Sequence, residues 1–456
     1  MKPTNSFIGK VKNLFNGANL PQSGLYHFRR EEQDGKTRIH LRIDPDGSGL
    51  LILNANRIVH LNPSAALMAY LHLEGKEPVQ VGRAMQKQFR VTNAQAKQDY
   101  RDFSLQMEEL LDPNGGCPVC DLSLETTAPF SATPSAPYRM DLAITYRCNN
   151  NCSHCYNARP RNYPEMPVEQ WKKVIDKVWE LRIPHIVFTG GEPTLHNGLV
   201  ELVAYAEEKG LITGLNTNGR KLADKAFVDS LVKAGLDHVQ ITLESHDADI
   251  HNHMVASKGA WEETVAGLKN VLTSRLYVMT NTTLLTHNKD SIRETLAFLA
   301  ELGLPTVGLN ALIYAGKGKD VGTGLHEEEL PPLLEEARAM TQANGQRLIW
   351  YTPTQYCHFN PLQLDLGVKG CTAALYNMCV EPNGDVIPCQ SYYHALGNLL
   401  NNPWNEIWEH PLALSLRNRS DVPEGCKTCD YLPECGGGCP LARAHQVIQP
   451  IKNNLF

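Results

Sequence analysis

Cys148-Asn-Asn-Asn-Cys152-Ser-His-Cys155 places three thiols within eight residues, and as a set they are suited to iron–sulfur chemistry. A cubane iron–sulfur cluster takes one ligand per iron, preferably thiolate. Three closely spaced cysteines therefore hold three irons and leave the fourth open to a substrate or cofactor. A zinc knuckle is the competing use of such thiols, but zinc favours paired C-x-x-C or Cys/His sets. The chain has 13 cysteines, an odd number. Residues 1–20 carry Lys2, Lys10 and Lys12 without an unbroken apolar run, so no signal peptide is expected and a cytoplasmic location is. In that reducing compartment clustered thiols read first as metal ligands or catalytic groups, then as disulfides.

The other cysteines also fall in groups. Cys371 is followed after twelve residues by Gly384 and after four more by Cys389. Cys426-x2-Cys429-x5-Cys435-x3-Cys439 comes next, with Cys357 before the group and Cys379 inside it. Cys117-Pro-Val-Cys120 stands apart, either as a local turn or knuckle or as a source of a further thiolate. Between the first triplet and the later thiols lie Thr189-Gly190-Gly191-Glu192-Pro193, Asn216-Thr217-Asn218-Gly219 and Thr242-Leu243-Glu244-Ser245.

The elements that must position these residues are legible from periodicity. Alternating strands and helices run from about residue 141 to 316, with strands expected at 142–146, 183–189, 211–216, 238–243, 276–285 and 307–313. Helices are expected between them at 168–181, 198–209, 223–234, 264–273 and 291–302. Repeated βα units imply a parallel sheet, and six are too few for a closed eight-stranded barrel. The expected fold class is therefore α/β, a partial (β/α)6 TIM-type barrel with its chemistry at the carboxyl ends of the strands. The cysteine triplet then follows the first strand, Gly190-Gly191-Glu192 ends the second, and the Asn216 and Glu244 motifs end the third and fourth. Before the barrel, residues 24–111 read as a small α+β module: strands at 38–43, 50–53 and 58–61, then three helical patterns. Residues 112–137 form a Pro-, Ser- and Thr-rich linker containing the Cys117/Cys120 pair, the barrel spans 138–318, and residues 350–456 form a Cys-, Gly- and Pro-rich domain built around clusters.

The C-x3-C-x2-C spacing with a Gly-Gly-Glu turn one βα unit later resembles the radical S-adenosylmethionine (SAM) superfamily. That resemblance implies a [4Fe–4S] cluster on Cys148, Cys152 and Cys155. Its open iron chelates the amino and carboxylate groups of SAM, and reduction yields a 5′-deoxyadenosyl radical that abstracts hydrogen. It further implies that Gly190, Gly191 and Glu192 hold the SAM ammonium. Asn216 and Thr217 are then expected near SAM, Glu244 and Ser245 near its ribose and carboxylate, and His154 beside adenine. Asn281 and Thr283 are further polar candidates. The family's His-Asp…Arg-Gly sequel is His251-Asn252-His253-Met254-Val255 here, without the Arg that the resemblance would place on the SAM carboxylate.

The later cysteines resemble the SPASM extension, which implies two auxiliary [4Fe–4S] clusters. The family partition puts Cys371, Cys379, Cys389 and Cys439 on the nearer cluster and Cys426, Cys429 and Cys435 on the farther. The pattern's last cysteine has no counterpart after Cys439. The fourth ligand is then Cys357, a linker cysteine such as Cys117 or Cys120, or a non-thiolate, or else one iron stays open. The N-terminal module resembles the winged-helix, PqqD-like recognition element of enzymes that modify ribosomally made peptides.

A net charge of −6 argues against a general nucleic-acid binder, and no apolar run is long enough to span a membrane. The expected activity is radical modification of a peptide, forming a thioether or carbon–carbon crosslink or a related oxidation. Its leader peptide would be held by the N-terminal module, along the basic strand 38–43, and an external flavodoxin or ferredoxin would be the reductant. Tailoring of a small molecule or cofactor precursor is the alternative. An anaerobic sulfatase maturase fits less well: those enzymes place an Asp base directly after the cysteine matching Cys389, where this chain has Gln390.

Overall fold

The computed structural model describes residues 21–32, 35–54, 57–111 and 134–448, which fall into two compact units. Cys117, Cys120 and most of the expected linker lie outside the described residues.

In the N-terminal unit, strands β1 (Gly24–Glu32), β2 (Gly35–Ile43), β3 (Gly49–Leu53) and β4 (Arg57–Leu61) form an antiparallel sheet in that order. Three helices follow at Pro63–Leu73, Pro78–Gln88 and Asn93–Leu111. Asn62 caps the first helix, its side chain accepting from Ala65 N at 2.9 Å, as the Asn-Pro-Ser start signal demands. Ile39, Leu41 and Ile43 of β2 pack with Leu51 of β3 and with Leu67, Leu71, Met85, Phe103 and Met107 of the helices. β1 was not expected, and it corrects the placing of the sheet's edge. Strand 38–43 lies between β1 and β3, so it has no free edge for a peptide. Its basic residues are buried as well: Arg38 is 2% exposed and Arg42 0%, with Arg42 bonded to Asp44 and Ser135.

The second unit is built on a ten-stranded sheet. Strands β5 (Arg139–Thr145), β6 (His185–Gly190), β7 (Ile212–Thr217), β8 (His238–Thr242), β9 (Tyr277–Thr283) and β10 (Thr306–Asn310) follow one another in sequence and space. The pairs β5–β6, β7–β8, β8–β9 and β9–β10 are parallel. Helices Val168–Glu180, Leu199–Lys209, Lys225–Ala234, Ala260–Leu272 and Ile292–Glu301 connect them, each near its expected place. The strand interiors carry the apolar residues that a sheet covered on both faces requires, with Leu142, Phe188, Leu215, Val239, Ile241, Val307 and Leu309 all fully buried or nearly so.

The sheet extends beyond the six expected units at both ends. Helix Leu330–Ala343 leads to β11 (Arg347–Trp350), parallel to β10. On the other side β12 (Asn377–Val380) pairs parallel with β5, and β13 (Asp385–Ile387) and β14 (Gly397–Asn398) add to it antiparallel. The cysteine-rich region is thus continuous with the barrel sheet through a short strand pair. Four-residue strands such as β12 carry too little periodicity to be read before their partner is known.

Candidate functional site

The motif residues gather at the carboxyl ends of β5 to β9. Cys148 stands three residues past the end of β5, Gly190 ends β6, Thr217 ends β7, Glu244 follows β8 and Thr283 ends β9. The cysteine loop itself is pinned by backbone contacts: Asn151 N donates to Val255 O at 2.9 Å, Ser153 N to Met254 O at 3.1 Å, and Lys317 N to Cys155 O at 2.9 Å.

Cationic side chains surround this loop. Arg161 donates to Cys148 O at 2.5 Å and to the Asn151 side chain at 3.2 Å. Arg220 donates to Asn149 O at 2.7 Å, Asn150 Oδ1 at 2.9 Å and Ser257 Oγ at 2.9 Å. Lys317 reaches Asn151 Oδ1 at 2.6 Å. Sequence reasoning missed all three. Arg220 directly follows the Asn216–Gly219 turn, but Arg161 and Lys317 carry no local signal. The positive collar suits a loop that must carry three thiolates.

The thiols are themselves a donor set for a metal cluster. None of the eleven cysteines in the described residues is in a disulfide. Burial pushes the Cys148 thiol up to about 11, and the Cys155 and Glu192 charges push the same way. Cys152 is raised as well, by burial and by Cys155, Glu244 and Cys148. Thiolates that repel one another in a buried loop are stable only against strong positive charge, which cluster iron supplies.

The Gly-Gly-Glu turn packs closely against the backbone that precedes Cys148. Gly190 has φ +138°, and a Cβ there would stand 2.0 Å from Thr145 O; one on Gly191 would stand 2.4 Å from Arg147 O. Gly191 N and Glu192 N donate to Thr145 O at 2.8 Å and Arg147 O at 2.7 Å. The close approach that both glycines permit is therefore to the backbone leading into Cys148. Glu192, 1% exposed, accepts from Thr194 N, Thr194 Oγ1 and Thr217 Oγ1 on one oxygen and Asn218 N on the other, at 2.7–3.0 Å. It ties the ends of β6 and β7 together.

Glu244 does the same for β8 and β9. It is 1% exposed, pairs with His154 Nε2 at 2.9 Å and accepts from Thr283 N at 2.8 Å. Its own amide donates to His251 Nδ1 at 3.2 Å. Burial lowers the fully buried His251 to about 4, so its ring is neutral. His154 Nδ1 is buried with no hydrogen-bond partner among the described residues. Ser245, 0% exposed, accepts from the amide of Asp247, the residue that caps helix Ala248–Met254. Asn216 lies half-buried on β7, and Asn281 donates to Asn310 Oδ1 at 2.7 Å.

Beyond β5, two further thiol groups form. Burial raises Cys371, followed by Cys439 and Cys389 in its influence, and burial pushes Cys389 up to about 12, with Cys439 adding to the rise. Cys379 is on β12, 0% exposed, packed with Ala143, Tyr146 and Ile387; burial, Asp141, Glu381 and Cys389 all raise it. Cys357 lies near Cys435 and Cys426, both of which push its thiol up after burial does.

Between the first triplet and these thiols runs a polar seam. Tyr156, next to Cys155, donates to Gln390 Oε1 at 3.3 Å, next to Cys389. Arg159 makes two bonds of 2.7 Å to Glu381, which is 0% exposed and also accepts from Tyr146 OH at 3.1 Å.

Residues 142–299 match the family model of the radical SAM superfamily, and residues 371–430 match that of the iron–sulfur cluster-binding SPASM domain. This chain is a radical SAM enzyme with a SPASM domain. Its cofactors are accordingly SAM, a [4Fe–4S] cluster and auxiliary iron–sulfur clusters. The radical SAM enzyme is 26% identical to the AdoMet-dependent heme synthase of Methanosarcina barkeri over 322 residues, 67% of this chain and 92% of the relative. It is 27% identical to the mycofactocin maturase MftC of Mycolicibacterium smegmatis over 331 residues, 69% of this chain and 81% of the relative. Its fold is similar to that of SuiB of Streptococcus suis, solved with the precursor peptide SuiA. The TM-score is 0.65 at 16% identity, covering 91% of this chain and 96% of SuiB. No helix among the described residues is long and apolar enough to cross a membrane.

Proposed function

We propose that Cys148, Cys152 and Cys155 hold the catalytic cluster and that the enzyme modifies a ribosomally made peptide. The observation that carries the second part is the N-terminal unit: a four-stranded antiparallel sheet whose outer strands, β1 and β4, each pair on one side only among the described residues. An extended leader peptide adds to such an edge by main-chain hydrogen bonds, and tethering raises the local concentration of the segment to be modified. MftC and the peptide-bound SuiB structure support this reading.

When bound, the cluster and SAM supply a 5′-deoxyadenosyl radical that abstracts hydrogen from substrate. The chain's own residues fix the geometry around that event. Arg161, Arg220 and Lys317 hold the thiolate loop and offset its charge. Glu192 and Glu244 act as positioning residues, locking strand ends in pairs while the turn at Gly190 and Gly191, with Asn216, Thr217 and Ser245, shapes the SAM site. Glu244 fixes the His154 ring beside the cysteine loop, where it is suited to pack against adenine. Cys371, Cys379, Cys389 and Cys439 serve the nearer auxiliary cluster, and Cys426, Cys429 and Cys435 the farther. Gln390 cannot take a proton, and its bond to Tyr156 makes it a positioning group.

The test is anaerobic incubation of reconstituted, reduced enzyme with SAM and candidate precursor peptides, with and without their leaders. A loss of about 2 Da per crosslink, one hydrogen leaving each partner atom, is expected only with the leader attached. Equal turnover of leaderless peptide would remove the role of the N-terminal sheet. The heme synthase relative favours a second reading, tailoring of a tetrapyrrole; turnover of an iron porphyrin and of no peptide would establish it instead.

A further inference from the structure

We propose that Cys357 is the fourth thiolate of the farther auxiliary cluster, closing a set with Cys426, Cys429 and Cys435. The proposal rests on the reading that these later cysteines hold clusters, and it assigns a ligand from outside the C-x2-C-x5-C-x3-C run.

The loop at 353–360 brings Cys357 to that run. Tyr356 N donates to Cys435 Sγ at 3.4 Å, the backbone one residue before Cys357 thereby touching a candidate ligand sulfur. Cys435 Sγ also lies 3.7 Å from Thr354 O, and Cys439 N donates to Pro353 O at 3.2 Å. The opposing segment is shaped to allow this. Gly436, Gly437 and Gly438 have φ of 62°, 75° and 73°, and a Cβ on Gly438 would meet Gln355 at 3.0 Å. Three successive left-handed residues let the chain turn from Cys435 to Cys439 while the 353–360 loop lies against it. Cys429 N donates to Cys426 O at 3.1 Å, so those two cysteines flank one tight turn.

The loop is built rigidly. Thr354, 0% exposed, donates to Phe359 O at 2.9 Å, and His358 N and Phe359 N both donate to Gln355 O. Glu327 accepts from Gln355 N at 3.0 Å and pairs with His358 Nδ1 at 3.2 Å. Lys369 N donates to Tyr356 OH at 3.0 Å. Cys357 is thus presented by a pre-ordered loop, and cluster binding need not fold it. With four thiolates the farther cluster has no open iron for substrate, which suits it to passing electrons.

Two measurements test this without reading catalysis. In reconstituted full-length protein, Cys357, although exposed, is expected to resist iodoacetamide until the iron is chelated, and then to be alkylated. Mass spectrometry of the peptide reads both states, and full alkylation in the cluster-loaded protein overturns the proposal. Separately, a chain with Cys148, Cys152 and Cys155 all changed to Ala shows the auxiliary clusters alone, about eight irons for two cubanes. Adding Cys357→Ala is expected to give a three-iron signal by electron paramagnetic resonance or to cut iron by about half, and Cys429→Ala is expected to do the same. Unchanged iron and spectra overturn the assignment of Cys357 alone, whereas a parent without iron overturns the auxiliary-cluster reading beneath it.

Discussion

His251 illustrates how a residue can serve the site by staying uncharged. Its Nδ1 accepts the Glu244 amide, and burial holds its pKa near 4, below the ordinary 6.5. Above pH 6.5 both folded and unfolded chains carry the neutral ring. As pH falls from 6.5 towards 4 only the unfolded chain takes the proton, so stability drains across that window, by roughly 3 kcal/mol in full. His251→Asn keeps an acceptor near Nδ1 and removes the titration. Thermal melts across the window are expected to fall less steeply for this variant than for the unchanged protein; parallel slopes would assign the acid sensitivity elsewhere. The cysteines, by contrast, were legible one by one, because thiol spacing is a local property. The strand ends that Glu192 and Glu244 join were not, since Thr217 and Asn218 lie 25 or more residues from Glu192, and His154 and Thr283 lie further still from Glu244.

At the scale of elements, the site depends on how closely one strand end approaches the next. Gly190→Ala would drive a Cβ to 2.0 Å from Thr145 O at a φ of +138°. It is expected to cost roughly 2 kcal/mol or more and to lower iron loading on the triplet, read by denaturant melts and iron content. A loss of stability with normal loading would mean the turn does not shape the cysteine loop. The Arg159–Glu381 pair makes the corresponding link to the hairpin of β12 and β13. Arg159→Ala leaves a carboxylate buried and unpaired, at roughly 3 kcal/mol. Adding Glu381→Gln is expected to recover part of that loss; no recovery would mean that Arg159 acts by packing on Tyr163 and Tyr393 instead. Helix positions were predictable to within a few residues because their amphipathic period is local. β1, β11 and β12 escaped because a strand is defined by its neighbours.

For the molecule as a whole, the pairing of β12 with β5 makes the cysteine-rich region part of the barrel's sheet. Met140, Leu142 and Met378 are 0% exposed, and Tyr138 stacks on Tyr376 at 4.7 Å along the same seam. Ending the chain at residue 370 would bare the edge of β5. The product is expected to aggregate or to run as higher oligomers on size exclusion; a soluble monomer would show that the barrel closes without this seam.

The sequence by itself determined the chemistry. Thiol spacing, the Gly-Gly-Glu turn one βα unit later, and the order of strands and helices identified a radical SAM core followed by SPASM cysteines, because ligand type and periodicity are written along the chain. The tertiary structure decided which groups meet. It moved the edge of the N-terminal sheet from strand 38–43 to β1 and β4, turned Gly190 and Gly191 towards the Thr145–Arg147 backbone, and brought Arg161, Arg220 and Lys317 around Cys148, Cys152 and Cys155. It also set Cys357 beside Cys435, 78 residues away in sequence. Such meetings are fixed by packing and long-range pairing, which no short window of residues encodes.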